Sequence, residues 1–132
     1  MRILVLALLL AACSQETPQQ KPADQVTYAG AGRDRLCTKG DRAGFITYGK
    51  GNSNCSVQGN VERPGGNALT LHPIGDQDCR ISIDEQGETL RLGKASPACA
   101  YYCGPGASFE GKAFTRSATA SAAVDFAGDP LC

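Results

Sequence analysis

The sequence predicts a mainly β domain: a small antiparallel meander, closed or nearly closed into a barrel and stapled by disulfides. Three observations predict it. Short β-branched, aromatic or alternating apolar runs recur every ~10–12 residues between Gly, Pro, Asn and Asp turns. Sixteen glycines and seven prolines disfavour long helices. Six cysteines crowd a stretch of roughly 100 residues, a size at which the core alone gives only marginal stability.

The elements follow in order. Gly44–Tyr48 (GFITY) is a β-branched and aromatic run ended by Gly-Lys-Gly-Asn. Cys55–Val61 sets Cys55, Val57 and Gly59 against Ser56, Gln58 and Asn60, the alternation of a strand with one buried face. Arg63-Pro64-Gly65-Gly66 reads as a turn, after which Ala68–His72 puts Leu69 and Leu71 on one side. Pro73–Asp78 is a loop, and Cys79–Ile83 aligns Cys79, Ile81 and Ile83. Asp84-Glu85-Gln86-Gly87 turns the chain into Thr89–Leu92. Ser108–Thr115 is expected to add a strand, with Phe109 and Phe114 in the core. In the Ala-rich Ser117–Ala127, a short helix capped by Ser117 competes with a strand at Ala123–Phe126, and the helix is favoured. A two-sheet sandwich is the alternative to the barrel. No internal repeat is evident.

The first twelve residues belong to no domain. After Met1-Arg2, the run Ile3–Ala12 has no polar side chain. It is too short to cross a bilayer core, which needs about 20 residues, and it matches the apolar part of a secretory signal. Leu10-Ala11-Ala12-Cys13 resembles the bacterial lipobox. That resemblance implies a thioether-linked diacylglycerol on Cys13, cleavage before it and acylation of the new amino group, palmitate included. Several acyl chains anchor stably where one does not. Ser14 stands where Asp retains enterobacterial lipoproteins in the inner membrane, so it resembles the outer-membrane case, with the domain facing the periplasm. Ser14–Gln25 has Ala23 as its only apolar side chain and holds two prolines. It reads as a tether, about 40 Å long when fully extended. The expected organisation is a signal peptide at 1–12, a lipidated cysteine and polar tether at 13–32, and a disulfide-rich β domain at 33–132.

Beyond Cys13 stand Cys37, Cys55, Cys79, Cys99, Cys103 and Cys132. An even number in an exported domain reads as three disulfides, each worth about 2–4 kcal/mol. Six cysteines allow fifteen pairings. Cys132 closes the sequence and suggests a staple for the chain end, Cys37 being one candidate partner. Cys79, Cys99, Cys103 and His72 could be drawn as a metal set, but the paired CxxC spacing of structural zinc is missing, and so is the CxxC of a redox pair.

Thirteen basic residues balance thirteen acidic ones, and no basic stripe exists, which argues against nucleic acid. Residues 33–50 are locally basic and 76–88 locally acidic, read as two solvated faces in weak attraction. Enzyme templates fail. Gly106-Ala107-Ser108-Phe109-Glu110-Gly111 is one residue too long for a nucleophile elbow. His72 precedes Pro73 and has no identifiable acid partner, and the adjacent Asp84 and Glu85 should not face each other as an acid/base pair.

Cys99–Lys112 (CAYYCGPGASFEGK) is the most distinctive stretch. Its structural interpretation is bridged cysteines, a Gly-Pro-Gly turn and packed tyrosines. Its functional one is a rigid loop offering Tyr101, Tyr102, Ser108 and Lys112 to a partner. The segment is similar to one found in small proteobacterial lipoproteins, a resemblance that carries no activity. More loosely, the chain resembles membrane-bound lysozyme inhibitors, which are small, lipidated, disulfide-linked barrels that block the lysozyme cleft with a loop Ser and Lys. Ser108 and Lys112 would be those residues, although six domain cysteines exceed that family's usual number. The expected function is a monomeric, non-catalytic, membrane-anchored binding module without a cofactor, with a periplasmic protein as its candidate partner. A periplasmic lysozyme inhibitor and a purely structural envelope protein are the alternatives.

Overall fold

A computed structural model describes residues 24–132. The signal peptide, Cys13 and residues 14–23 of the tether lie outside the described residues. Eight strands, β1 Gln25–Ala29, β2 Arg35–Lys39, β3 Arg42–Tyr48, β4 Asn54–Gly65, β5 Ala68–Pro73, β6 Ile81–Gln86, β7 Thr89–Ala95 and β8 Ala113–Arg116, form a closed barrel in sequence order. Every neighbouring pair is antiparallel, and β1 completes the ring by pairing with β8 as well as β2. Closure leaves no free sheet edge among the described residues.

Alternation decides which side chains fill the interior. Val57, Leu69, Leu71, Ile81, Ile83, Leu90 and Leu92 all point inward with Leu36, Phe45 and Phe114. The ring of Phe109 tilts against Phe45 with centroids 5.2 Å apart, closing the core at one end. A second, smaller cluster lies on the outside of the wall. Cys37, Ile46, Ala123 and Leu131 pack there, joined by the Cys37–Cys132 disulfide. Gly44 permits this contact, because a Cβ at that position would run into the backbone and side chain of Leu131.

The structure corrects several boundaries. β1 lies inside the stretch assigned to the tether (13–32), and neither β1 nor β2 was expected. Val-Thr-Tyr carries the β-branched and aromatic signal, but it follows directly on a polar run. β4 continues through Arg63-Pro64 to Gly65, with a bulge between Glu62 and Gly65, so the turn falls at Gly66-Asn67. β6 continues to Gln86, moving the next turn to Gly87-Glu88. The strand expected at Ser108–Thr115 begins only at Ala113, because Gly111 turns the chain with φ 79°. Phe109 and Phe114 are both buried nonetheless.

The favoured helix at Ser117–Ala127 does not form, and of the competing strand only one bridge, Val124 to Pro130, is present. The Ser117 hydroxyl does accept a cap-like bond from Ala120 N–H at 3.0 Å. A single capped turn does not propagate without an apolar stripe to bury, and the segment is instead pinned at Ala123, Leu131 and Cys132. The only helix among the described residues is a 3-10 helix at Pro97–Tyr102, which was not expected.

At Gly59 a Cβ would overlap the carbonyl of His72, because β4 and β5 cross closely there. Gly59→Ala is expected to cost about 2 kcal/mol or more, the scale of overpacking against an immovable neighbour, read as a lower urea midpoint at unchanged slope.

Candidate functional site

The antiparallel order gathers the loops at 30–34, 49–53, 74–80 and 96–112 at one end of the barrel. Two disulfides tie them down. Cys99 bonds Cys79, and Cys103 bonds Cys55, so the 3-10 helix is riveted to β4 and to the loop before β6. Ser96 Oγ accepts from Arg80 N–H (2.9 Å) and donates to the Asp78 carbonyl (2.6 Å), fastening the same two loops. Ser53 Oγ donates to the Pro105 carbonyl at 2.6 Å.

Asp76 organises the loop after β5. One carboxylate oxygen accepts from the N–H groups of Asp78 (2.9 Å) and Cys79 (3.1 Å). The other accepts from the Tyr102 hydroxyl at 2.8 Å. These bonds, the Tyr102 hydroxyl first, hold the Asp76 carboxyl below its ordinary value. Burial, followed by the bond to Asp76, pushes Tyr102 up to about 12. The result is a rigid ridge with the Asp76–Tyr102 bond at its crest.

Two hollows flank this ridge and meet at Pro73. On one side lies a trough of about 240 Å³ on the outer wall of the barrel, with Ser56 and Gln58 of β4 as its floor. Ile74 and Tyr102 form one bank, Asp125 and Leu131 the other. The other hollow is a polar cavity of about 440 Å³ lined by Asn60, Glu62, His72, Asp76, Gln77 and Arg80. Ile74 is 55% exposed and Tyr101 86% exposed, its ring edge-on to that of Tyr102 with centroids 5.3 Å apart. Phe126, 60% exposed, follows Asp125 in the far bank. These three are the exposed large hydrophobic residues among those described; Ile74 lines the trough, and Tyr101 and Phe126 each adjoin a lining residue in sequence, Tyr102 and Asp125. Isolated exposed apolar residues are ordinary; a group of them around a hollow marks a contact surface.

The four candidate contact residues do not form one site. Tyr101 and Tyr102 belong to the ridge. Ser108 is exposed on a separate shallow groove of about 260 Å³ beside Pro97, Ala100 and Phe109. Lys112 does not offer its ammonium to a partner. It reaches inward to Asp34, which is only 3% exposed, at 3.2 Å, and to the Tyr48 carbonyl at 3.0 Å. Tyr48 N–H donates to the other Asp34 oxygen at 2.8 Å. Asp34 and Lys112 therefore lock two loops to the end of β3, with Arg33 stacked 3.9 Å above the Tyr48 ring. The basic 33–50 and acidic 76–88 stretches form no ion pair with each other among the described residues.

Sequence reasoning missed Ile74, Asp76, Arg80 and Phe126. Asp76 carried a legible signal, since an Asp two residues before another loop N–H favours a local side-chain turn. Nothing local marked Ile74 or Phe126 as exposed. Comparison with protein-family models, curated proteins and solved structures finds no significant match.

Lys112→Met should cost about 3 kcal/mol, because it strands a buried carboxylate; equal denaturation midpoints for variant and parent would contradict this. The Asp76–Tyr102 bond also sets two pH windows. Its contribution is complete between the ordinary values, 3.8 for Asp76 and 10.0 for Tyr102. It declines in acid as pH falls below 3.8 through the depressed Asp76 value, and in alkali between 10 and about 12. The phenolate absorbance that Tyr102→Phe removes should titrate near 12 in the parent and lower in Asp76→Asn.

Proposed function

We propose that this chain is a membrane-anchored, non-catalytic binding lipoprotein of the bacterial cell envelope. The single observation that carries the binding role is the ridge. Disulfides and Asp76 hold it rigid, yet it leaves Ile74 and Tyr101 in solvent, while its Asp76 and Tyr102 each line a hollow. Preorganisation removes the ordering cost that a flexible loop would meet on binding. The anchor rests on the lipobox-like Leu10–Cys13, and the three disulfides agree with an oxidising compartment.

Lysozyme inhibition is the second reading, favoured by the closed barrel and the exposed Ser108. It must assign Lys112 a role in holding the loop, because that ammonium faces inward. Unchanged cell-wall lysis at large excess of the protein removes this reading.

Photo-cross-linking in cells tests the leading one. A photoreactive residue at position 74 or 101 should capture a discrete, saturable adduct, and the same residue at the exposed Glu88 should not. Cys13→Ser should move the protein from the membrane to the soluble fraction. Equal labelling at all three positions, or an intact Met1 in the mature protein, refutes the proposal.

A further inference from the structure

We infer that the ridge and the polar cavity beside it form a glycan-binding site, an inference that rests on the binding role above and names the chemistry of the ligand. Sugars present two kinds of surface. Their C–H faces stack on aromatic rings, and their hydroxyls pair with planar groups, donating to carboxylates, accepting from guanidinium and doing both with amides. Both surfaces are matched here.

Tyr101 is the stacking element. It is 86% exposed, although a ring of this size contributes to the core only when buried. It is not a loose side chain, because its ring rests edge-on against Tyr102. Tyr102 is fixed in turn by its 2.8 Å bond to Asp76, and Asp76 lines the polar cavity. The exposed ring and the cavity are thus parts of one rigid unit.

The cavity wall supplies the polar groups. Several polar side chains at this end of the barrel are taken up by the fold: Asp34, Ser53, Ser96 and Lys112 all hold loops. Asn60, Gln77 and Arg80 differ. Among the described residues their side chains make no hydrogen bond or ion pair, yet all three line one hollow. The Glu62 carboxylate faces His72 at 3.3 Å, an acid neighbour that the sequence did not identify because it comes from the adjacent strand. That imidazole Nε2 is buried and has no well-formed hydrogen bond, so this wall keeps unfilled hydrogen-bonding capacity. Two amides, the Glu62 carboxylate and a guanidinium around about 440 Å³ suit a neutral polyhydroxylated ligand. Tyr101 does not itself line the cavity but is joined to it through Tyr102 and Asp76, so the site is assigned to an oligosaccharide, with one sugar on the ring and another in the hollow.

The test is calorimetric titration of the full chain in lipid discs with chitotetraose, cellotetraose and maltotetraose, after subtraction of empty discs. At least one is expected to bind saturably. Tyr101→Ala and Gln77→Ala should each weaken it about tenfold or more, and Tyr101→Phe, which keeps the ring, should bind as the parent does. Both positions are solvent-facing, and a thermal melt coincident with the parent's shows that the variants fold. Absence of binding to all three sugars overturns the inference, as does binding indifferent to Tyr101 and Gln77. The binding role fails separately: if no sugar binds but a protein is captured at position 74 or 101, the ridge remains a binding site and only its glycan chemistry is lost.

Discussion

A single layer of short strands has nowhere to bury its apolar face unless it curls onto itself. Closure of the ring by β1 is therefore the constraint on which everything else depends. Leu69, Leu71, Ile81, Ile83, Leu90 and Leu92 face one another only because β1 bridges β8 and β2. The same closure puts four loops at one end, where their backbone groups and the core beneath them have to be covered.

The chain covers that end with cross-links and polar clamps. Phe109 supplies the apolar plug. The Cys79–Cys99 and Cys55–Cys103 bridges fix the helix that carries Tyr101 and Tyr102. The Asp34–Lys112 pair does the same for the neighbouring loops. Rigidity needed for stability in a small domain is also what a binding ridge needs, so one set of bonds serves both. The outer cluster around Leu131 extends this principle to the wall, where the last segment becomes the far bank of the trough.

Much of the barrel was legible from local pattern. The inward faces of β4 to β7 follow from alternation, because a strand's side-chain period is two whatever its partner. β1 escaped notice since its strand signal, Val-Thr-Tyr, is only three residues long and adjoins a tether-like run. The C-terminal segment misled in the opposite sense. Its alanines and the Ser117 cap favour a helix, but its covalent tie to Cys37 and the packing of Leu131 on Gly44 hold it irregular. The site was half legible: Tyr101 and Tyr102 were singled out, whereas Lys112 looked available and is an internal clamp.

By itself, the sequence determined the class of fold, the inward set of most strands and the six cysteines of the domain, because each depends on neighbours along the chain. Only the tertiary structure decided which cysteines pair, which way Lys112 points, and that Ile74 and Tyr102 share a hollow with Asp125 and Leu131. Those are relations between segments distant in sequence. Ring closure brings such segments together, and no local propensity encodes the distances it creates.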